Sequence, residues 1–309
     1  MNDSCLDQSV RRPVSSGLRL ARIISEATTN PGGQPVISPR AFPKALLTTA
    51  IPKRWLADRV VATHLANGVN LLFPAGERFF VRSVRKLAAK LPKGDPLHED
   101  VKGFAAQEGH HAGAHEVVFE VLQAQGYDIK TFLGVYEKLA FGVIEPIAPP
   151  SLRLAVTAAC EHFTAVMAEN FLTRMQSIPM DESMRALLAW HSVEEIEHRA
   201  VAFDVFQKVD GRYEVRMAGL AVAAVLLAGF WVAATATLLA QEDAPLRALQ
   251  KERHELKEDQ PFSDRVFGRG IREYVRRDFH PLTNKRVDDL ASAQVATFAW
   301  HSANDSRQM

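Results

Sequence analysis

Two short strings in this chain combine residue types at a spacing that suits metal chemistry. Glu108-Gly-His-His111 and Glu195-Ile-Glu-His198 each place a glutamate three residues before a histidine. On an α-helix this offset puts the carboxylate and the imidazole side by side on one face. Two such pairs, with a single glutamate from each of two further helices, form the ligand set of four-helix bundles that bind two metal ions. The sequence therefore predicts a di-metal site.

Two further glutamates complete this set. Glu161 lies in a stripe of mostly small residues that includes Ala158 and Ala165, where a buried carboxylate is costly unless it is paired or binds a metal. Glu77 is flanked at helical offsets by Phe73 and Phe80. Each glutamate has an alternative interpretation. Glu161 would pair with an arginine or histidine in the core, and Glu77 would be an exposed carboxylate at the start of a helix.

A third histidine extends the set. His191 lies four residues before Glu195 and is a further candidate ligand, although a hydrogen-bonding role beside a ligand is the alternative. His115 and His162 are expected to lie behind the ligands or in the core. The predicted metal ligands are Glu77, Glu108, His111, Glu161, His191, Glu195 and His198, and the predicted catalytic residues are Glu108 and Glu195.

Neighbouring residues carry weaker expectations. Glu194 and Glu197 are expected to be solvated or to pair with Arg199, and His280 is expected in a packed turn. Four aromatic side chains are candidates for the wall of a substrate cavity, with ordinary core packing as the alternative for each of them: Phe73, Phe80, Phe104 and Phe163.

The elements that must position these residues are all helices. Apolar residues recur at helical spacing, and no long alternation typical of a strand interrupts them. Gly126 is expected to end one helix and Asp181 to cap another, while Pro74 and Gly76 predict a kink or a helix start just before Glu77. The predicted helices cover residues 54–91, 97–125, 129–141, 151–178 and 181–209.

Composition and charge limit the function classes. Lys and Arg number 37 against 36 Asp and Glu, so nothing indicates a nucleic-acid partner. Cys5 and Cys160 do not make a disulfide framework, and the N-terminal residues contain no secretory signal, so a cytoplasmic location is expected. We divide the chain into a flexible leader (1–40), a di-metal bundle (41–210), an apolar helix (211–242) and a charged C-terminal extension (243–309).

The apolar helix leaves two alternatives open. Residues 217–240 form an uncharged run of 24 residues, long enough to span a bilayer. Its many alanine, glycine and threonine residues make insertion marginal and would equally suit a tightly packed helix in a soluble protein. If the helix inserts, Arg212 and Arg216 at its N-terminal end favour a cytoplasmic bundle attached to the inner membrane.

These motifs resemble those of known metalloprotein families. Over about residues 55–210 the chain resembles the ferritin-like di-iron carboxylate superfamily, which implies an all-α, ferritin-like four-helix bundle. The string His191-Ser-Val-Glu-Glu195-Ile-Glu-His198 is similar to that of the arylamine N-oxygenases, where the additional histidine also binds iron. With its apolar helix and Phe279-His-Pro281, the whole chain looks most like the bacterial family labelled predicted metal-dependent hydrolases.

The main functional hypothesis from the ligand set is oxygen chemistry. Carboxylates and imidazoles suit two iron ions, with manganese or zinc as alternatives, and O2 would be the co-substrate of an oxidase or oxygenase. The first alternative is a di-metal hydrolase, and the second is a ferroxidase or iron-handling protein. The expected partners are a small or lipid-like substrate, an electron-transfer protein if O2 is used, a membrane surface if the apolar helix contacts one, and a second copy of the chain in a homodimer.

Overall fold

The computed structural model describes residues 37–258 and 265–305, and within these ranges the protein is built of helices. The all-α prediction is confirmed there, since the sole extended pairing in the described ranges is one bridge between Leu56 and Met180. The helices are α1 (Val60–Ala88), α2 (Leu97–Ala124), α3 (Lys130–Glu137), α4 (Pro150–Asn170), α5 (Glu182–His198), α6 (Val201–Val209), α7 (Tyr213–Leu239), α8 (Leu246–Glu258), α9 (Arg265–Tyr274) and α10 (Arg286–Asp305). Short π-helical segments, Lys138–Ile144 and Phe171–Met175, follow α3 and α4.

Helix α4 lies at the centre of the molecule. It contacts α1, α5, α6, α7 and α9, while α1 also packs against α2 and α7. Every residue of α4 from Arg153 to Thr164 is buried. A helix buried on all sides explains why α4 shows no clear amphipathic stripe. The ferritin-like connection of these helices stays a prediction, as does the division into four regions.

Two predicted helix ends are confirmed. Gly126 has φ +98°, a left-handed conformation that glycine adopts without strain, and the following Tyr127 N–H donates to the carbonyl of Leu122 at 3.0 Å. At the start of α5, Asp181 Oδ1 accepts hydrogen bonds from the backbone N–H groups of Ser183 and Met184. Both signals act within a few residues, so sequence alone reveals them.

Two helix boundaries differ from prediction. Pro74 neither starts nor breaks a helix, because α1 runs through it and the apolar face around Leu71 and Ala75 stays buried. The predicted helix over residues 181–209, in contrast, is divided at Arg199 into α5 and α6. The Arg199 guanidinium donates to the Ile196 carbonyl oxygen, which the N–H of residue 200 would use in a continuous helix. Tertiary contacts decided both cases.

Helix α7 is packed on one side and exposed on the other. Among the described residues it is the one helix long and apolar enough to cross a membrane, with a mean hydropathy of 2.2 and 22% of that stretch buried. One face packs against α1 and α4, whereas Val225 and Val232 on the outer face are 72% and 68% exposed. The helix is thus neither an isolated span nor a core helix, and its composition is weak support for membrane contact.

The packed face of α7 yields a stability prediction. A Cβ atom at Gly219 would lie 2.6 Å from the backbone carbonyl carbon of Ala155 on α4, whereas a Cβ at Gly229 would meet nothing within 4 Å. We expect Gly219→Ala to lower the free energy of unfolding by about 1–3 kcal/mol through overpacking. Gly229→Ala should be neutral or stabilising by up to about 1 kcal/mol. Denaturant unfolding of both variants tests this, and equal stabilities would mean that α7 is not packed as described.

Candidate metal centre

The seven predicted ligands come together inside the bundle. Glu77 comes from α1, Glu108 and His111 from α2, Glu161 from α4, and the remaining three from α5. None of the seven is more than 4% exposed. A group of ionisable side chains buried this deeply is costly unless each charge is paired or bound to a metal.

One half of the centre surrounds His198. Its Nε2 lies 3.5 Å from Glu108 Oε1 and 3.4 Å from Glu161 Oε2. The ligand atoms of these three residues lie within 4.8 Å of one another, close enough to share one metal ion. The two Glu-x-x-His pairs therefore combine across helices, because His198 of α5 lies beside Glu108 of α2.

The other half surrounds His111 and His191. Glu195 Oε1 lies 2.7 Å from His191 Nε2 and 3.5 Å from His111 Nδ1, and Glu77 Oε1 lies 3.9 Å from His191 Nε2. The second oxygen of Glu195 points to the first half, 3.6 Å from His198 Nε2. Glu195 therefore stands between the two groups of ligands.

Each of the three histidines is held from behind by a hydrogen bond on its other ring nitrogen. His111 Nε2 bonds Glu194 at 3.0 Å, His191 Nδ1 bonds His115 at 2.6 Å and His198 Nδ1 bonds Gln107 at 2.9 Å. Such partners fix the ring orientation and the tautomer of metal-binding histidines. This arrangement leaves Nδ1 of His111 and Nε2 of the other two facing the glutamates.

The donor atoms that face the interior fit bound metal ions. Buried side-chain atoms without any hydrogen-bond partner include both carboxylate oxygens of Glu77 and of Glu161, one oxygen each of Glu108 and Glu195, Nδ1 of His111 and Nε2 of His198. Buried polar atoms are nearly always hydrogen-bonded in folded proteins. Eight unpartnered atoms directed at one small space are therefore explained best by metal coordination, and the oxygen and nitrogen donors suit Mn, Fe or Zn.

The pKa shifts of the buried glutamates also favour bound cations at this centre. Burial and the neighbouring Glu108 carboxylate raise the pKa of Glu77 well above its usual range and the pKa of Glu161 to about 8. Burial opposes ionisation of Glu195, but the contacting histidines outweigh it and lower its pKa well below the usual range. Without cations, the centre must retain protons to limit repulsion among four glutamates. Divalent cations would replace those protons.

A buried ion-pair network behind the centre was missed at the sequence level. Glu194 and Glu197 are neither solvated nor paired with Arg199, contrary to expectation. Arg40 donates from Nε to Glu194 at 3.0 Å and from Nη2 to Glu197, and Gln107 donates to Glu197 at 2.8 Å. Residues 1–36 of the predicted leader lie outside the described residues, but Arg40, at its end, is a buried part of the bundle. No local signal joins residues 154 positions apart.

The remaining histidines near the centre have structural partners. His162 Nε2 donates to the carbonyl oxygen of Gly270 at 2.9 Å, a core interaction as expected. His280 lies in a turn in which its Nε2 is 2.8 Å from Asp204 and its Nδ1 accepts from the N–H of Leu282. Arg199 pairs with Asp288 on α10. None of these side chains faces the seven ligands.

Two cavities border the centre. The first cavity has a volume of about 120 Å³ and Glu77 in its wall, and the second has about 410 Å³ with His191 and Glu195 in its wall. The two share four wall residues, Val69, Phe73, Thr164 and Met167. The ring of Phe73 stands at this junction, 4.5 Å from that of His191. Space for a substrate thus reaches the centre from two directions.

The four aromatic candidates divide between these cavities and the core. Phe73 and Phe80 line the first cavity, although ordinary core packing was the favoured expectation for each. Phe104 is fully buried with its ring 5.1 Å from the His198 imidazole, and Phe163 is a buried core residue. The alternative of ordinary packing holds for these last two.

A comparison of the sequence with known protein families identifies the family of this chain. Residues 40–285 match the family described as "Predicted metal-dependent hydrolase". The chain belongs to this family. The match includes all seven predicted ligands, Arg40 and α7. No curated protein and no solved structure matches the chain.

Family membership corrects the main functional hypothesis. The ligand set alone led us to expect an oxygenase or oxidase, and this interpretation is wrong, because the family is described as one of predicted metal-dependent hydrolases. The hydrolase alternative is the one supported. The mistake has a physical origin, since glutamates and histidines bind iron, manganese and zinc alike and do not by themselves distinguish oxygen chemistry from hydrolysis. The resemblances to the ferritin-like superfamily and to the N-oxygenases stay predictions.

Proposed function

We propose that this protein hydrolyses an ester or amide bond at a centre that binds two divalent metal ions. The observation that carries the proposal is the set of eight unpartnered, buried donor atoms directed at one space. The family of the chain supplies the reaction class. A metal-binding scaffold without catalysis would not need two cavities leading to that space.

The seven ligands divide between two positions in this proposal. Glu108, Glu161 and His198 would hold one ion, and Glu77, His111 and His191 the other, with Glu195 between them. When bound, two divalent ions supply Lewis-acid polarisation of the substrate oxygen and lower the pKa of a water molecule.

The other tasks belong to the chain itself. The carboxylates of Glu77 and Glu195 also form cavity walls. The lowered pKa of Glu195 suits it to metal binding, so we assign proton transfer to and from the substrate to Glu77. Glu108, predicted as catalytic with Glu195, lines neither cavity and is assigned to metal binding alone. Phe73 limits the access of water at the junction of the cavities, and the hydrogen bonds to Glu194, His115 and Gln107 keep the three imidazoles in place.

Metal removal tests the proposal directly. We expect dialysis against a chelator to abolish hydrolysis of a panel of carboxylic and phosphoric esters, and reloading with zinc, manganese or ferrous iron under argon to restore it. In water enriched in ¹⁸O the product acid should contain one ¹⁸O atom, because water is the attacking group. Product oxygen that comes from O2, or activity that survives complete metal removal, would contradict the proposal.

A pair of isosteric variants on α4 provides the control. Glu161 and Glu169 are both buried, but Glu169 pairs with Arg269 and lies two helical turns from Glu161. We expect Glu161→Gln to weaken metal binding by more than about 100-fold. Glu169→Gln should leave metal content unchanged, even if it lowers stability. Equal metal contents in the two variants would exclude Glu161 from the ligand set.

We also propose that the outer face of α7 contacts a lipid surface. This face carries no charge between Ala218 and Ala236, and the neighbouring segment after Lys130 exposes a parallel apolar row, Val135, Leu139, Val143 and Ile147. Surface contact suits a helix that is packed on α1 and α4 along its other side. The protein should co-sediment with vesicles of anionic phospholipid. The double substitution Val225→Glu, Val232→Glu should prevent this co-sedimentation without changing Tm. Sedimentation unaffected by the substitutions would overturn the assignment.

A homodimer, a cytoplasmic location and the absence of a nucleic-acid partner stay predictions from the sequence. The electron-transfer partner followed from the oxygenase hypothesis alone and is not proposed for a hydrolase.

A further inference from the structure

The first cavity is an apolar space that begins at the metal centre. It lies between α1, α4, α7 and the segment 136–148. At its inner end is Glu77, both of whose carboxylate oxygens are buried and unpartnered, and beside it is Phe73, next to His191. Any group that fills this cavity therefore lies in contact with the proposed reaction centre.

The walls of this cavity suit a hydrocarbon chain. They consist almost entirely of aliphatic and aromatic side chains, among them Leu72, Phe80, Val156, Val222 and Leu226. A polar molecule that entered would lose its hydrogen bonds to water without replacement. Each methylene group of an alkyl chain would instead gain about fourfold in affinity on leaving water.

The outer end of the cavity continues in apolar surface. Ile144 and Ala148 line it while remaining partly exposed, and directly beside them Val143 and Ile147 are 43% and 76% exposed. The path from the surface to Glu77 is thus lined mostly by apolar side chains. The buried Arg153, which pairs with Glu145, is the one cationic side chain in its wall.

The second cavity is larger and, although most of its wall is apolar, it is more polar than the first. It meets the first at Phe73 and also has polar side chains in its wall, including Asn70, Asn170 and Ser192. Its volume of about 410 Å³ lies within the usual range for small-molecule sites. Two connected cavities, one apolar and one partly polar, meet at the metal ligands, and this division matches the two parts of an amphiphile.

We propose that the first cavity binds the alkyl or acyl chain of an amphiphilic substrate, whose polar part lies in the second cavity. The scissile bond then lies between them, beside Glu77 and Glu195. The identification of this ligand as the substrate rests on the proposed hydrolase function. Binding of the alkyl chain does not rest on that function, because Glu77 is the one predicted metal ligand in the wall of the first cavity.

Calorimetric titration of the metal-free, full-length protein with uncharged 1-alkanols tests the proposal. From 1-butanol to 1-decanol we expect one saturable site per protein chain. The Kd should fall about fourfold per methylene and then level off once the chain fills the cavity. Adsorption to exposed apolar surface would show neither saturation at one equivalent nor a plateau. The absence of saturable binding of 1-decanol would overturn the proposal.

Two residues of α7 form a matched pair of variants for the same titration. Val222 lines the first cavity, whereas Val225 faces outward and is 72% exposed. Val222→Trp should fill the cavity and weaken 1-decanol binding by more than about tenfold, and Val225→Trp should leave it unchanged. Leu152→Trp, in the wall contributed by α4, serves if Val222→Trp does not fold. Unchanged binding in a folded blocking variant would place the alkanol elsewhere and contradict the assignment.

The two proposals fail separately. If the protein binds alkanols as described but neither binds metal nor hydrolyses esters, the chain-binding site stands and the hydrolase function does not. If metal binding and ester hydrolysis are found but short and long esters react equally well and alkanols do not bind, the hydrolase function stands and the chain-binding site does not.

Discussion

Replacing Glu195 with alanine is expected to reduce bound metal from about two ions per chain to below one and hydrolysis by more than about 100-fold. Glu195 is the ligand that approaches all three histidines, with one oxygen toward His111 and His191 and the other toward His198. Its loss therefore affects both halves of the centre at once. Metal analysis and the ester assay after reloading measure the two effects.

The same substitution should also remove most of the stabilisation that bound metal gives to the fold. In the wild-type protein, bound metal stabilises the fold by mass action, so adding zinc should raise Tm. The Glu195→Ala variant should lose most of this rise. Glu182→Ala provides the control, because Glu182 is on the same helix with a side chain that is 72% exposed, and it should behave as wild type. A full complement of metal in Glu195→Ala would remove Glu195 from the centre.

Replacing Arg40 with methionine is expected to destabilise the protein by about 3–5 kcal/mol, the cost of leaving a buried charge without its partner. Arg40 is 6% exposed and pairs with Glu194 and Glu197, which are 0% and 8% exposed. Methionine keeps much of the volume of the side chain but removes the charge. The two carboxylates would then be buried beside His111 with no cation to balance them.

The same change is expected to weaken metal binding by about 10–100-fold, since Glu194 holds the imidazole of His111. Arg78→Met is a matched control, because Arg78 also pairs with two glutamates, Glu116 and Glu137, but all three side chains are at least 43% exposed. Exposed pairs contribute at most about 1 kcal/mol. Equal effects of the two substitutions on Tm and metal affinity would show that the Arg40 network does not support the centre.

The sequence by itself determined the features that depend on short separations along a helix. The two Glu-x-x-His strings, with His191 one turn before Glu195, place their side chains on one helical face whatever the rest of the fold does. Gly126 and Asp181 end and start helices through hydrogen bonds that span a few residues. The helical class followed from apolar residues that recur at helical spacing. Glu77 and Glu161 were predicted because the ligand set of a four-helix bundle needs a glutamate from each of two further helices.

The tertiary structure decided what depends on contacts between distant segments. Arg40 meets Glu194 across 154 residues, and no local pattern predicts such a pair. Pro74 is accommodated within α1 and Arg199 divides α5 from α6, because packing and side-chain hydrogen bonds outweigh local propensity at those positions.

The position of the apolar run of 24 residues also depends on tertiary contacts that the sequence does not predict. Its length and composition allowed either a membrane span or a buried helix, and only the contacts with α1 and α4 show that one face is packed and the other is free. The two cavities likewise exist only between helices that are far apart in the chain. Local spacing fixes which atoms a helix presents, whereas the space enclosed by those atoms depends on how the helices pack.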